Sequence, residues 1–360
     1  MNILFLANDD EGLYKFRKEL ICELLKRHKV FISLPYGKYV DVLVKEGCIF
    51  IDTEFNRKGT NPVADLKLIS FYRKIMKENK IDAVLTYTLK PNVYGGMAAQ
   101  SLKIPYVANI TGLSSTVEKE GILKYIVFGL YRFGLKNARM VFFQNETNMK
   151  FMLDNKLINN NYDLIPGSGV NLQEYEVMEY PDGDTIDFVY IARIMKEKGF
   201  EQYCDCARYI RAKYPNTRFH VCGTYDEEEY KPVMAELEKE GILIYHGSVE
   251  NMKEIYSMIS CTIHASYYAE GMSNALLESL ACGRPIITTD KPGCRELVRD
   301  GINGYLIKQK DSKDLIEKVE RFLSLPVEER RKMGLEGRRL VEESFSRDIV
   351  IKKYVEVIES

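Results

Sequence analysis

No apolar run in this 360-residue chain is long enough to span a bilayer, which takes roughly 18 residues or more. The best candidate, GILKYIVFGLYRFGLKNAR at 121–139, is interrupted by Lys124, Arg132 and Lys136. Low-complexity tracts and solenoid-period repeats are absent, which excludes fibrous, disordered and repeat classes. The eight cysteines form no CxxC pair, Cys204 and Cys206 being the nearest neighbours. That pattern fits a reducing cytoplasm and not a secreted disulfide scaffold. The opening MNILFLAND lacks the charged, apolar, then small layout of a signal peptide. A cytoplasmic protein is the expectation.

What is present is ordinary globular composition, 46% hydrophobic and 29% charged, in a chain too long for one core. The net charge of −1 hides an asymmetry: 24 Lys and Arg against 17 Asp and Glu over residues 1–165, hence +7, and 27 against 35 in the remainder, hence −8. A basic half joined to an acidic half implies that one lobe faces an anionic surface or substrate. The cations and aromatics at 124–139 fit either an interfacial helix on anionic lipid or a core helix with a solvated basic flank.

Short β-branched runs alternate with amphipathic stretches along the first half. Strands are expected at 2–7, 29–35, 83–88, 106–111 and 140–145, and Phe16, Leu20, Ile21 and Leu24 line one face of the first helix. The rhythm implies a parallel sheet covered on both faces. It breaks at the turn-rich 166–184, expected as a linker. It then resumes with strands at 187–193, 217–223, 242–248, 261–266, 285–290 and 304–307. The chain therefore reads as an α/β protein with domains at 1–165 and 185–346, and a closing helix at about 347–358 crossing back to the first. In such sheets ligands bind beyond the carboxyl ends of the strands, so a cleft between the lobes is the expected site.

Two stretches carry the chemistry. EGMSNALLE, 270–278, places Glu270 and Gly271 before Ser273, a candidate N-cap, and Glu278 inside the following helix. A helix start offers unsatisfied amides and a positive dipole end, which suits an anion. Carboxylates on either side of an anion site need hydroxyl-bearing partners, and a nucleotide-sugar supplies them in the order sugar, diphosphate, ribose. The bland alternative is a capped surface helix with exposed glutamates. IARIMKEKGF, 191–200, puts Arg193 and Lys198 at a strand-to-helix turn, where both could hold a diphosphate or simply face solvent.

Taken together these stretches resemble the GT-B glycosyltransferases of family 4. R-x4-K-G matches Arg193, Lys198 and Gly199, and E-G-(F/M)-x5-E matches Glu270, Gly271, Met272 and Glu278. TYTLKPNVYGG, NITGLSS, VFFQNE and PGSGVN in the first lobe are similar to a bacterial subgroup that builds capsule, exopolysaccharide, O-antigen and N-glycan precursors. Tyr14, Phe16 and Arg17 resemble the matching stretch of its campylobacter-type members acting on polyprenyl diphosphate-linked sugar.

The resemblance implies two Rossmann-like doubly wound domains and retaining transfer from a UDP-sugar without a bound metal or other cofactor. It implies a lipid-linked saccharide as acceptor, no nucleic acid, and a peripheral place on the inner face of the cell membrane through the basic N-terminal domain. Arg193 and Lys198 would hold the diphosphate, Glu270 the donor sugar and Glu278 the ribose, with the backbone at Gly271, Met272, Ser273 and Asn274 completing the anion site. A UDP-sugar epimerase of the same fold, or a non-catalytic UDP-sugar-binding protein, remain as alternatives.

Thr111 stands where many members carry a histidine, and Ser114 where the subgroup has glycine. A histidine base is therefore not expected there, which suits a leaving phosphate that assists the incoming hydroxyl. Thr111 and Gly112 are expected on the acceptor side. Lys90 would meet an acceptor phosphate or snorkel at the surface. Gly12 would permit close approach and Arg17 bind the acceptor diphosphate, or the two are a turn residue and a helix-surface cation. Asp182-Gly183-Asp184 is a literal DxD but sits in the linker. His264 is expected as a satisfied core histidine, and Cys282 and Cys294 as small packing residues.

Overall fold

The computed structural model describes residues 1–53, 62–113, 121–159 and 161–360. The chain divides into two compact units: Met1–Ser168 with Asp348–Ser360, and Gly169–Arg347.

The first unit is built on a parallel sheet of β1 (Asn2–Leu6), β2 (Lys29–Leu34), β3 (Ile49–Asp52), β4 (Ala83–Tyr87), β5 (Tyr106–Ile110), β6 (Met140–Phe143) and β7 (Tyr162–Leu164). Their order is β3-β2-β1-β4-β5-β6-β7. β1, β4 and β5 are almost wholly buried, as a parallel sheet covered by helices on both faces requires. β3 and β7 lay outside the expected strands. They are the two edge strands, three or four residues long and half exposed, so they carry little apolar pattern.

The first helix, Asp10–Leu25, turns Leu13, Arg17, Leu20, Ile21 and Leu24 inward. Arg17, not Phe16, is part of the buried face. The last helix, Arg347–Glu359, packs on this same unit. Tyr354 accepts a hydrogen bond from Asn109 Nδ2 at 2.7 Å and its ring lies 4.8 Å from that of Phe142. Lys353 pairs with Asp163 at 2.6 Å and Arg27 with Glu359 at 2.7 Å.

The second unit repeats the plan with β8 (Ile186–Ile191), β9 (Thr217–Cys222), β10 (Ile244–Tyr245), β11 (Cys261–His264), β12 (Ile286–Thr289) and β13 (Gly304–Ile307). Their order is β10-β9-β8-β11-β12-β13. The stretch expected as a linker joins this unit from Gly169 onward. Val170 and Tyr180 are buried, Val170 N donates to Phe345 O at 2.9 Å, and the Tyr180 hydroxyl donates to Ser260 O at 2.9 Å. Its apolar residues fill core positions, so its turn-rich composition was misleading.

Both sheets reverse direction once, β1 lying beside β4 and β8 beside β11. The loops leaving such a pair diverge and open a crevice at the carboxyl ends of the strands, which is where a doubly wound sheet binds its ligand.

Candidate active site

In the second unit the loop after β8 carries Arg193 and Lys198, and the loop after β11 carries Glu270. They meet at the reversal point. Lys198 Nζ donates to Glu270 Oε1 at 2.5 Å, both side chains being little more than a tenth exposed. Ser266 Oγ donates to the same oxygen at 3.0 Å, and His264 Nε2 stands 3.4 Å from it. Burial alone would push the Glu270 carboxyl up. The Lys198 ammonium and His264 outweigh it and hold the group well below the usual carboxylate range.

Arg193 lies beside this pair. It is 45% exposed and bridged to Asp226 at 3.0 Å, and its guanidinium and the Lys198 ammonium both face the Tyr268 ring, at 5.5 and 5.0 Å. Both cations are paired with carboxylates, but the exposed Arg193 guanidinium keeps N–H groups that an anion could take.

Two glycines make this meeting possible. Gly199 has φ of +75°, and a Cβ there would come 2.2 Å from the Ala265 carbonyl oxygen. Only glycine lets the Lys198 turn press against the exit of β11. Gly293, at φ +89°, lies against Gly271 and Glu270 in the same way, where a Cβ would meet the Gly271 carbonyl oxygen at 2.8 Å. It fixes the Glu270 turn by accepting from Ser273 N at 2.9 Å.

Ser273 occupies the N-cap position of helix Asn274–Ala281, but its hydroxyl caps nothing and stands 3.5 Å from His264 Nε2. Its amide, expected in the anion site, is engaged by Gly293. The Met272 side chain joins Leu276, Leu277 and Leu280 in the core, so it can serve the site only through its backbone. Gly271 and Asn274 bracket these two at the helix start. Glu278 lies on the same helix and accepts from the Tyr256 hydroxyl at 3.2 Å.

In the first unit, Gly12 and Arg17 follow β1, Lys90 follows β4, and Thr111 and Gly112 follow β5. The Gly12 amide donates to Asp9 Oδ1 at 2.6 Å, because Asp9 is the N-cap of the first helix. Its small size serves that cap, and its amide is not offered to a ligand. Lys90 neither snorkels nor stands alone. It pairs with Asp65 at 3.1 Å, both side chains 15% exposed, and the Tyr94 hydroxyl donates to the other Asp65 oxygen at 2.7 Å. Arg17 is no surface cation. It is 5% exposed, its guanidinium lies 4.8 Å from the Tyr87 ring centroid, and Nη1 donates to Phe16 O at 3.0 Å. Among the described residues no carboxylate pairs with it, and such an uncompensated buried charge is costly.

Thr88 adds a residue that the sequence did not reveal. It has φ of +71°, the one β-branched residue in that region among the described residues, and its buried Oγ1 has no partner there. The backbone then runs into a π-helical turn, Pro91–Gly95. Strain of this kind concentrates at binding sites, yet Thr-Leu-Lys-Pro carries no local signal for it. Ser114 lies outside the described residues.

Residues 2–145 match the Glycosyl transferase 4-like family, and residues 176–340 match Glycosyl transferases group 1. The chain is a glycosyltransferase. Its two units are the Rossmann-like pair of the GT-B fold. Over 344 residues this glycosyltransferase is 29% identical to N,N'-diacetylbacillosaminyl-diphospho-undecaprenol alpha-1,3-N-acetylgalactosaminyltransferase of Campylobacter jejuni, covering 90% of the present chain and 89% of the relative. Anabaena HepE, solved in complex with UDP-glucose, superposes with a TM-score of 0.82 at 16% identity over 100% of this chain and 99% of that one. A Rickettsia africae glycosyltransferase gives 0.79 at 18% identity, with 99% and 97% covered. At those identities the superpositions establish the fold.

Two residues of the glycosyltransferase expected in the core lie beside Glu270. His264 is 2% exposed, as a core residue should be, but it faces Glu270, and its Nδ1 has no partner among the described residues. Cys294 is buried in the core, and burial pushes its thiol up. With Glu270 the two offer ligand atoms within 4.8 Å of one another. A metal fits poorly there, because the Lys198 ammonium already sits on the carboxylate oxygen a cation would use and the thiol stays protonated. The DxD candidate, Asp182 and Asp184, is exposed and precedes the amino end of β8, the edge of the sheet opposite Arg193 and Glu270. Cys282 is the C-cap of helix Asn274–Ala281, a packing position as expected.

Proposed function

We propose that this glycosyltransferase moves a hexose or N-acetylhexosamine from a UDP-sugar to a polyprenyl diphosphate-linked saccharide, with retention and without a bound metal. The setting is bacterial surface polysaccharide or glycan synthesis at the inner face of the cell membrane. The observation that carries the reading is the Lys198–Glu270 pair at the reversal point of the second sheet, with Arg193 beside it. The Campylobacter relative's lipid-linked diphosphate acceptor and the UDP-glucose held by HepE support the choice of substrates.

In this reading Arg193 and Lys198 take the diphosphate of the donor. They neutralise the charge that grows on it as the bond from the anomeric carbon to phosphate oxygen breaks. Glu270 stays ionised at neutral pH and accepts from donor-sugar hydroxyls, while Glu278 accepts from the ribose. The acceptor hydroxyl forms its bond to the anomeric carbon on the face the phosphate leaves, and its proton passes to the departing phosphate oxygen, giving UDP. Thr111 supplies no base at neutral pH, which suits this route. Arg17 takes the acceptor diphosphate, which provides a counter-charge that none of the described residues gives its buried guanidinium. Lys90, already neutralised by Asp65, orders the loop after β4.

The test is a panel of UDP-sugars offered with polyprenyl diphosphate-linked saccharides, read by mass spectrometry, with the product anomer determined by NMR. Transfer of one hexose or N-acetylhexosamine with retention, undiminished by EDTA, is expected. Inversion, strict metal dependence, or transfer only from other nucleotide-sugars would overturn the proposal.

A further inference from the structure

Helix Ile122–Leu135 buries one face, through Phe128, Tyr131, Gly134 and Leu135, and leaves the other bare. Ile122 is 78% exposed, Tyr125 70%, Phe133 68%, Leu123 56% and Ile126 52%. At about 100° per residue Ile122, Ile126 and Phe133 form one stripe, with Tyr125 and Leu123 to its sides. Single exposed apolar residues need no explanation, but five large ones on one helix mark an interaction surface.

The charges near this face in sequence are mostly positive, although Glu118 and Glu120 precede the helix on either side of Lys119. From 121 to 145 the chain carries Lys124, Arg132, Lys136 and Arg139 and no acid. The first acid beyond, Glu146, is paired with Lys150 at 3.3 Å. Arg132 is fixed at the flank by bonds to the Asn155 and Lys156 carbonyls at 2.9 and 3.2 Å. At 14 residues the helix is about 21 Å long, too short to cross a hydrocarbon core of roughly 30 Å. No helix among the described residues is long and apolar enough to do so. An apolar stripe flanked by cations suits a helix lying in the plane of an anionic interface. A second copy of the chain suits it less, since a two-fold contact would set these cations against their own equivalents.

We infer that the exposed face of helix Ile122–Leu135 is a docking surface for anionic lipid, with Ile122, Ile126 and Phe133 entering the headgroup boundary. The inference deepens the membrane contact proposed above, but its test needs neither donor nor acceptor, so it can fail or stand independently of the transfer reaction.

The chain has no tryptophan, so Phe133→Trp places a single reporter on the face. With phosphatidylglycerol–phosphatidylcholine vesicles its emission should move to the blue and be quenched by brominated acyl chains, and phosphatidylcholine alone should do this weakly. In co-sedimentation, Ile126→Ser should weaken binding to the anionic vesicles roughly tenfold, with the parent's melting temperature, since the side chain faces solvent. Transfer to a detergent-dissolved acceptor should persist in that variant. Unchanged emission with anionic vesicles, or undiminished sedimentation of Ile126→Ser, overturns the inference. A blue shift that grows with protein concentration without vesicles overturns it in favour of self-association. Retention on an immobilised acidic protein without vesicle binding overturns it in favour of a protein partner.

Discussion

Replacing Lys198 with methionine tests the central pair, because the loss of stability depends on pH. In the parent, Glu270 is held ionised by the ammonium 2.5 Å away and its carboxyl lies below the ordinary range. A depressed folded value contributes stability above the unfolded value, about 4.3, and that contribution is lost as the pH falls through the folded one. The methionine variant keeps the buried carboxylate but loses its partner. Removing one member of a buried pair costs about 3–5 kcal/mol. Ser266 at 3.0 Å and His264 at 3.4 Å remain to solvate the charge, which points to the low end, about 3 kcal/mol at pH ~7. For a domain of this size that lowers the melting temperature by roughly 6–12 °C. Burial then outweighs the weaker help of Ser266 and His264, so the folded carboxyl titrates above its unfolded value and stability rises as the pH falls from ~7 toward ~5. Scanning calorimetry across that range should show the variant converging on the parent from below. A variant that matches the parent at pH ~7, or falls away from it on acidification, would refute the argument.

Gly199→Ala should destabilise the second unit by at least about 2 kcal/mol and weaken UDP binding in calorimetry. Parent-like behaviour would mean that contact with Ala265 is not what positions Lys198. Glu278→Ala should weaken UDP binding by roughly 10–100-fold through one lost charge-assisted hydrogen bond and leave inorganic diphosphate binding as it was; an equal loss for both ligands would place Glu278 on the phosphates. Arg17→Leu should melt within about 1 kcal/mol of the parent, since it replaces an uncompensated buried charge with an apolar side chain. UDP binding should be kept and transfer to a diphosphate-linked acceptor cut by about 100-fold or more. Full transfer activity would remove Arg17 from the acceptor site.

Local chain properties made much of the architecture readable. The central strands alternate with amphipathic helices, and β-branched runs buried on both faces admit little but parallel pairing. The edge strands Ile49–Asp52 and Tyr162–Leu164 were missed, because half-exposed segments of three or four residues carry no period. The turn residues of 166–184 suggested a linker, while Val170 and Tyr180 belong to a core that cannot be seen from composition.

By itself the sequence nominated Arg193 and Lys198 for a diphosphate, and Glu270 and Glu278 for the sugar and ribose beside it, through their spacing and the family pattern they match. It could not determine their pairing. Lys198 and Glu270 are 72 residues apart, and only the order β8 beside β11, with Gly199 and Gly293 allowing backbone to touch backbone, brings ammonium to carboxylate. Tertiary structure also decided the fates of the cations in the first unit. Lys90 met Asp65, and Arg17 was turned into the core over the Tyr87 ring, with no carboxylate partner among the described residues. A residue's charge is written in the chain, but what neutralises it depends on what folding places nearby.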